Sequence, residues 1–149
     1  MPVTFRPATI ADVPAVLDLL ADDVLGAARE GGDVAPYLAA FKAMQAEGNN
    51  QLIVGEDNDN IVATYQLTFI AGLSLRASRR AQIESVRVSG GRRGQGLGHA
   101  MLADAEARAR AAGCNLMQLT MNKTRQQSHK FYEQLGFTAS HIGFKRELG

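Results

Sequence analysis

Hydrophobic and polar positions alternate along this chain with two different periods. A period of two, in runs rich in β-branched and aromatic residues, occurs at Val3-Thr4-Phe5-Arg6, Leu52 to Glu56, Ile61 to Ile70, Arg79 to Val88 and Leu116 to Met121. Each run is expected to be a strand. A period of three to four occurs at Val13, Val16, Leu17, Leu20 and Val24, at Tyr37, Leu38, Phe41 and Met44, and at Met101, Leu102, Ala105 and Ala109. These predict three amphipathic helices. A fourth follows Asn122-Lys123-Thr124, carries Phe131 and Leu135 on one face, and ends at Gly136.

Local signals set the boundaries. Thr9 and Asp12 compete to start the first helix, and Pro14, tolerable only near a helix start, favours Asp12. Gly26 and Gly31-Gly32 interrupt the pattern, Asp33 is placed to cap the second helix, and Gly48 to end it. Asp57-Asn58-Asp59-Asn60 reads as the turn of a hairpin. Gly113 is the expected stop after the third helix. Phe137 to Leu148 is expected to supply the last one or two strands. The sum is an α/β (α+β) domain over residues 1–149: a mixed, mostly antiparallel sheet of about seven strands with helices on both faces.

Between the strand ending at Val88 and the third helix lies Ser89-Gly90-Gly91-Arg92-Arg93-Gly94-Gln95-Gly96-Leu97-Gly98. Strand, glycine-rich loop and helix start form an anion cradle. Glycines let the backbone approach a ligand, and the helix start offers unpaired N–H groups and a positive dipole end. A tight turn explains the same residues. Gly-Lys-Ser/Thr is absent, which excludes a Walker loop, and Gly98 comes one residue too early for G-x-G-x-x-G.

Composition narrows the field of partners. The chain has 149 residues, 46% hydrophobic and 21% charged, with a net charge of +1. That charge gives no global field for nucleic acid or an anionic membrane. Arg76, Arg79, Arg80, Arg87, Arg92 and Arg93 do cluster, either as a solvated face or as a rim for a phosphorylated ligand. Cys114 is the sole cysteine, so no internal disulfide forms, and a small buried side chain is its favoured reading. The start of the chain lacks a signal-peptide pattern, and no apolar run reaches the ~20 residues of a membrane span. A cytoplasmic protein is expected. His99 and His129 have no metal-ligand spacing with each other or with Cys114, so no metal is expected.

Two motifs resemble one family. Arg93, Gly96 and Gly98 after the strand fit the Arg/Gln-x-x-Gly-x-Gly/Ala acetyl-CoA signature of the GNAT superfamily of N-acetyltransferases. Downstream, Ser128-His129-Lys130-Phe131-Tyr132-Glu133-Gln134-Leu135-Gly136-Phe137 looks like the tyrosine-bearing closing helix of that family. The motifs stand in the family's order, and the likeness covers nearly the whole chain. It implies a sheet splayed between its fourth and fifth strands, with the cofactor in the gap. It also implies a primary-amine acceptor, small molecule or peptide, beneath the first two helices. Asp22, Asp23, Glu30 and Asp33 lie in that region, as attractors of a cation or simply as a solvated face. Homodimers are common in the family.

The resemblance assigns roles residue by residue. Tyr132 matches the tyrosine that protonates the departing thiolate; the plain alternative is a core aromatic with its hydroxyl at the surface. Glu84 is the candidate base for the amine. Two residues before Val86 and four before Val88, it is expected on their strand face, where apolar burial would tune it; the alternative is a structural salt bridge. Backbone groups of Val86, Arg87 and Val88 would pair with the pantetheine arm. Gly94, Gln95, Gly96, Leu97, Gly98 and His99 would hold the pyrophosphate, with Arg92 and Arg93 at its edge. Arg125 and Ser128 share a helix face with Tyr132 by spacing. The family often has asparagine where Arg125 stands, so Arg125 either reaches a phosphate or lies exposed. Ser140, His141 and Gly143-Phe144-Lys145 are candidates to line the acceptor site, with a surface His141 as the plainer view. Transfer would be direct, since no residue is built as a nucleophile. The rivals are a non-catalytic acyl-CoA sensor of the same fold and a nucleic-acid module using the arginines.

Overall fold

The computed structural model describes residues 2–22 and 32–149. Asp23, Val24, Gly26, Glu30 and Gly31 lie outside the described residues. Five strands form one sheet: β1 (Thr4–Pro7), β2 (Asn50–Asp57), β3 (Asn60–Ile70), β4 (Arg80–Val88) and β5 (Leu116–Leu119), in that spatial order. The first four are antiparallel, and β5 runs parallel to β4. Asn58 and Asp59 both take positive φ, which closes the two-residue hairpin between β2 and β3 with the twist strands prefer. The helices are α1 (Val13–Ala21), α2 (Ala35–Glu47), α3 (Leu97–Ala111) and α4 (Gln126–Gln134). α3 is the crossover that a parallel β4–β5 pair requires.

The mixed, mostly antiparallel α/β class is as expected, but the strand count is five among the described residues rather than about seven. The difference lies at the end of the chain. Phe137 to Leu148 alternates like a strand, yet residues 137–149 form none, and residues 138–149 are all exposed. Alternation marks a segment fit to lie on a sheet; it does not supply the neighbour whose backbone groups complete it.

Helices cover both faces. Met101, Leu102, Ala105 and Ala109 of α3 pack on Ile53, Ala63, Tyr65, Leu67, Ala81 and Ile83. The Tyr65 hydroxyl, buried in that layer, donates to Asp104 Oδ2 at 2.6 Å, and Arg108 Nε donates to the same oxygen at 2.8 Å. Arg108 Nη2 also donates to the Phe5 carbonyl at 3.2 Å, so one polar chain ties α3 to β3 and β1. On the other face α1 lies against β3 and β4, and α2 against β2, with Val13, Val16, Leu19 and Phe41 buried. Asp33 accepts from the Ala35 N–H at 3.1 Å, the helix-start role expected of it.

Two irregularities in β4 shape the site. The first is a bulge. Gln66 opposes Glu84 and Thr64 opposes Arg87, so Tyr65 faces two residues, Ser85 and Val86. Ser85 takes φ 54°, the left-handed backbone that accommodates the extra residue. Residues directly opposite share a face, so Glu84 and Arg87 lie together on the Thr64–Gln66 face. Val88 opposes Ala63, and Val86 and Val88 pack on the α3 layer. The expected common face for Glu84, Val86 and Val88 is therefore corrected: the bulge reverses the alternation between them. Glu84 is exposed, without the apolar surroundings expected of it. The second irregularity is the end of the β4–β5 ladder at Ile83 and Leu119. From Glu84 onward that edge of β4 has no strand partner among the described residues, which is the splay the resemblance implied.

The start of α1 is fixed by charge. Arg6 Nη1 donates to Asp12 Oδ2 at 2.7 Å and Arg6 Nε to Glu56 Oε2 at 2.9 Å, while the Thr9 N–H donates to Asp12 Oδ2 at 2.7 Å. The Arg6 hydrogen bond holds the Asp12 carboxyl below its usual range against the opposing effect of burial. A carboxyl lowered in the folded state stabilises above its unfolded pKa and loses that contribution as pH falls toward the folded one. Asp12→Asn is expected to cost about 1–3 kcal/mol at pH 7. The gap from wild type should narrow below about pH 4, measured by urea unfolding at both pH values. A gap independent of pH would refute the assignment.

Candidate functional site

The loop between β4 and α3 is held open. Gly94 and Gly96 take φ 79° and 76°, and a Cβ at either would meet nothing within 4 Å. Left-handed backbone beside open space is the combination that a close-approaching anion needs. The N–H groups of Gly94, Gln95, Gly96, Leu97, Gly98 and His99 meet no acceptor among the described residues; the first amide of this run to find one is Ala100, on Gly96 O at 3.2 Å. No side chain caps α3. The expected pyrophosphate loop thus presents six consecutive amides.

Gly98 does something else. A Cβ there would stand 3.0 Å from Phe131 Cζ, so this glycine admits α4 against the start of α3. The rings of Phe131 and His99 meet edge to face at 5.1 Å. The residue next to Phe131 is Tyr132, so the docking that needs Gly98 also sets the tyrosine near the loop.

The arginines do not form a single rim. Arg92 pairs with the buried carboxylate of Asp57, at the β2 end of the hairpin, and so ties the loop to the sheet. Sequence reasoning missed this pair: Asp57 reads as a turn residue, and nothing local links it to a loop 35 positions away. Arg93 Nη2 stands 3.7 Å from Asp22 Oδ2 with both side chains about half exposed, a loose pair that leaves Arg93 available. Arg79 lies over the Phe69 ring and donates to the Ala112 carbonyl at 3.1 Å, a structural role.

α4 presents its half-buried positions, Ser128, Phe131 and Tyr132, to the body of the fold, and Arg125 immediately precedes it. Burial pushes the Tyr132 phenol above its ordinary pKa, partly offset by the positive charges of Arg125 and Arg87. That coupling places the phenol in the field of the β4 segment beyond the bulge, where Arg87 Nη1 donates to the Val86 carbonyl at 2.9 Å. A phenol held protonated there is suited to give a proton to a developing anion. Glu84 shares the face of Arg87, on the side covered by α1. The loop, the open edge of β4 and α4 therefore come together. Ser140 and His141 are both exposed and contact each other, Ser140 Oγ to His141 Nδ1 at 2.7 Å. Cys114 is half-buried against the core. Among the described residues no helix is long and apolar enough to cross a membrane.

Known proteins share this fold. The profile of the acetyltransferase (GNAT) family matches residues 15–137. The structure of a transcriptional regulator from Bacillus halodurans C-125 is 43% identical, with a TM-score of 0.94 over 99% of this chain and 100% of that one. A predicted acetyltransferase from Clostridium acetobutylicum, crystallised with acetyl-CoA, shares the fold, with 19% identity and a TM-score of 0.77 over 99% of this chain and 97% of that one. An aminoalkylphosphonate N-acetyltransferase from Salmonella typhimurium is 43% identical over 56 residues, 38% of this chain and 36% of that protein, so the chain matches about a third of that relative's length. With a profile that spans most of its length and carries both motifs, the chain belongs to the GNAT family of acetyltransferases.

Proposed function

We propose that residues 1–149 act as one acetyl-CoA-dependent N-acetyltransferase domain that moves an acetyl group directly to a primary amine. The observation that carries this reading is the run of amides from Gly94 to His99 that meet no acceptor among the described residues, at the start of α3 and beside the stretch of β4 beyond the end of the β4–β5 ladder. The amides take the diphosphate of the cofactor, with Arg93 at its edge. The pantetheine arm lies along the backbone of Val86, Arg87 and Val88, as a strand would. The thioester then arrives next to Tyr132. Arg125 and Ser128 line the same side of the arm.

The chemistry balances with two side chains. Glu84 accepts a proton from the acceptor ammonium, directly or through water. The freed lone pair attacks the thioester carbonyl carbon, the tetrahedral adduct collapses, and the C–S bond breaks. Tyr132 gives its proton to the leaving thiolate, the nitrogen of the adduct loses its second proton to solvent, the phenolate regains one from solvent, and Glu84 releases its own. Products are the amide and free CoA. The Salmonella relative is named for aminoalkylphosphonates, which are primary amines carrying an anion, and a small amine or peptide amine is the acceptor class proposed here. The likeness to a transcriptional regulator favours a second reading, an acyl-CoA-binding regulator without turnover.

An amine screen that follows free CoA thiol separates the two readings: the enzyme releases thiol with some acceptor, whereas the regulator binds CoA and releases none. Tyr132→Phe is expected to lower kcat by about 10²-fold with KM for acetyl-CoA little changed; unaltered turnover would remove the acid. In the wild type, the alkaline fall in rate attributable to this phenol should lie above pH 10, since burial raises it. Glu84→Gln should slow transfer about 10²-fold, and a wild-type rate would eliminate the base. Arg93→Glu should weaken CoA binding about tenfold by titration calorimetry; an unchanged Kd would count against its placement.

A further inference from the structure

The middle of the sheet is polar on one face. Gln82 of β4 opposes Thr68 of β3 and Gln118 of β5, Gln66 opposes Glu84, and Thr68 opposes Asn50, so all of them share the face of Glu84. They precede the bulge, so the alternation that sets Gln82 and Glu84 on one side is intact. The other face carries Ala81, Ile83 and Met117 in the layer of α3. A sheet face covered by helices ordinarily buries apolar side chains; this one holds half-buried carboxamides instead. Gln66 Nε2 donates to Asn50 Oδ1 at 2.7 Å and Thr68 Oγ1 to the same oxygen at 3.3 Å, so these side chains serve one another. Gln118 Nε2 donates to Gln82 Oε1 at 2.6 Å. No other hydrogen bond engages either of those two side chains among the described residues. A single bond between two carboxamides leaves one NH2 group and one carbonyl oxygen over, whichever way the amides are turned. A donor and an acceptor therefore stand side by side, about 6.7 Å along the strand from Glu84.

Position decides what meets them. The loop from Gly94 to His99 and the open stretch of β4 lie beyond Glu84, toward the end of the strand. The Gln82–Gln118 rung lies on the other side of Glu84, inside the β4–β5 ladder that ends at Ile83 and Leu119. A cofactor arm that enters along the open stretch stops short of this rung. The body of an amine held at Glu84 lies over it.

We infer that Gln82 and Gln118 form an acceptor subsite that reads a carboxamide or peptide group carried by the amine. Such a group offers its C=O to the spare N–H and its N–H to the spare oxygen, so both are completed at once. An alkyl chain in the same place takes water from both and returns no hydrogen bond. The acceptor is thus an amide-bearing amine, as at the amino end of a short peptide. This rests on the transfer reading in one respect, the placing of the amine at Glu84.

Two probes of equal main-chain length test it, alanyl-alaninamide and n-hexylamine. Their affinity for the full chain saturated with CoA is measured by titration calorimetry, and thiol release from acetyl-CoA is followed separately. The proteins are the wild type, Gln82→Met and Gln118→Met. The wild type should bind the dipeptide amide at least about tenfold more tightly than hexylamine. Each methionine, close in size but without the amide, should cut that preference about tenfold, with the Kd for CoA and a cooperative thermal transition as in the wild type. The basicity of each probe is the same for all three proteins, so the change in preference isolates the amides. The two variants lie on separate strands, so a folding defect in one leaves the other as the test. A wild type without the preference, or folded variants that keep it, would overturn the subsite. Preference without thiol release would uphold the subsite and remove the transfer reading; thiol release without preference would do the reverse.

Discussion

Backbone N–H groups that find no partner among the described residues are the constraint on which this structure turns. A helix start leaves its first amides without intrahelical acceptors, and most proteins cap some of them with a side chain. At α3 none does so. Two left-handed glycines carry the preceding backbone past the helix start instead of folding over it. The ion pair of Arg92 with buried Asp57 holds the loop to the hairpin, so the arginine that anchors the cradle differs from the one at its edge, Arg93, which is only loosely paired with Asp22. The result is a concentrated, preorganised positive potential on a chain with a net charge of only +1.

The rest of the site is arranged around that cradle by close packing. The missing side chain at Gly98 lets Phe131 reach α3, which brings α4 and its tyrosine to the loop. The bulge at Ser85 turns Glu84 and Arg87 to one face and Val86 and Val88 to the other. Apolar contacts and polar groups are thereby sorted to opposite sides of one strand. The ladder between β4 and β5 stops at the bulge, so the same irregularity that sorts the side chains lies where the strand edge becomes free.

Much of this was legible in the sequence, and what was not has identifiable physical causes. The β2–β3 hairpin, the span of α3 and its stop at Gly113 follow from turn chemistry and helical period, which are local. The open loop ahead of α3 was legible because glycine density and a helix start fall together. The bulge was not, because serine has no marked preference for left-handed backbone, and one inserted residue reverses every facing beyond it. The Asp57–Arg92 tether was invisible because a pair 35 positions apart is created by the fold. The strands expected after Phe137 failed for a third reason: alternation specifies a strand face but does not supply the neighbour that completes its backbone hydrogen bonds.

In the proposed mode of binding, the amides from Gly94 to His99 hold the diphosphate of the cofactor. Amide resonances of ¹⁵N-labelled protein, followed during titration with CoA and separately with 3′-phosphoadenosine 5′-diphosphate, measure this directly. The largest shifts are predicted on those six amides, with both ligands producing them and only CoA also moving Val86 to Val88. Saturable CoA binding that leaves Gly94 to His99 unshifted would contradict the account.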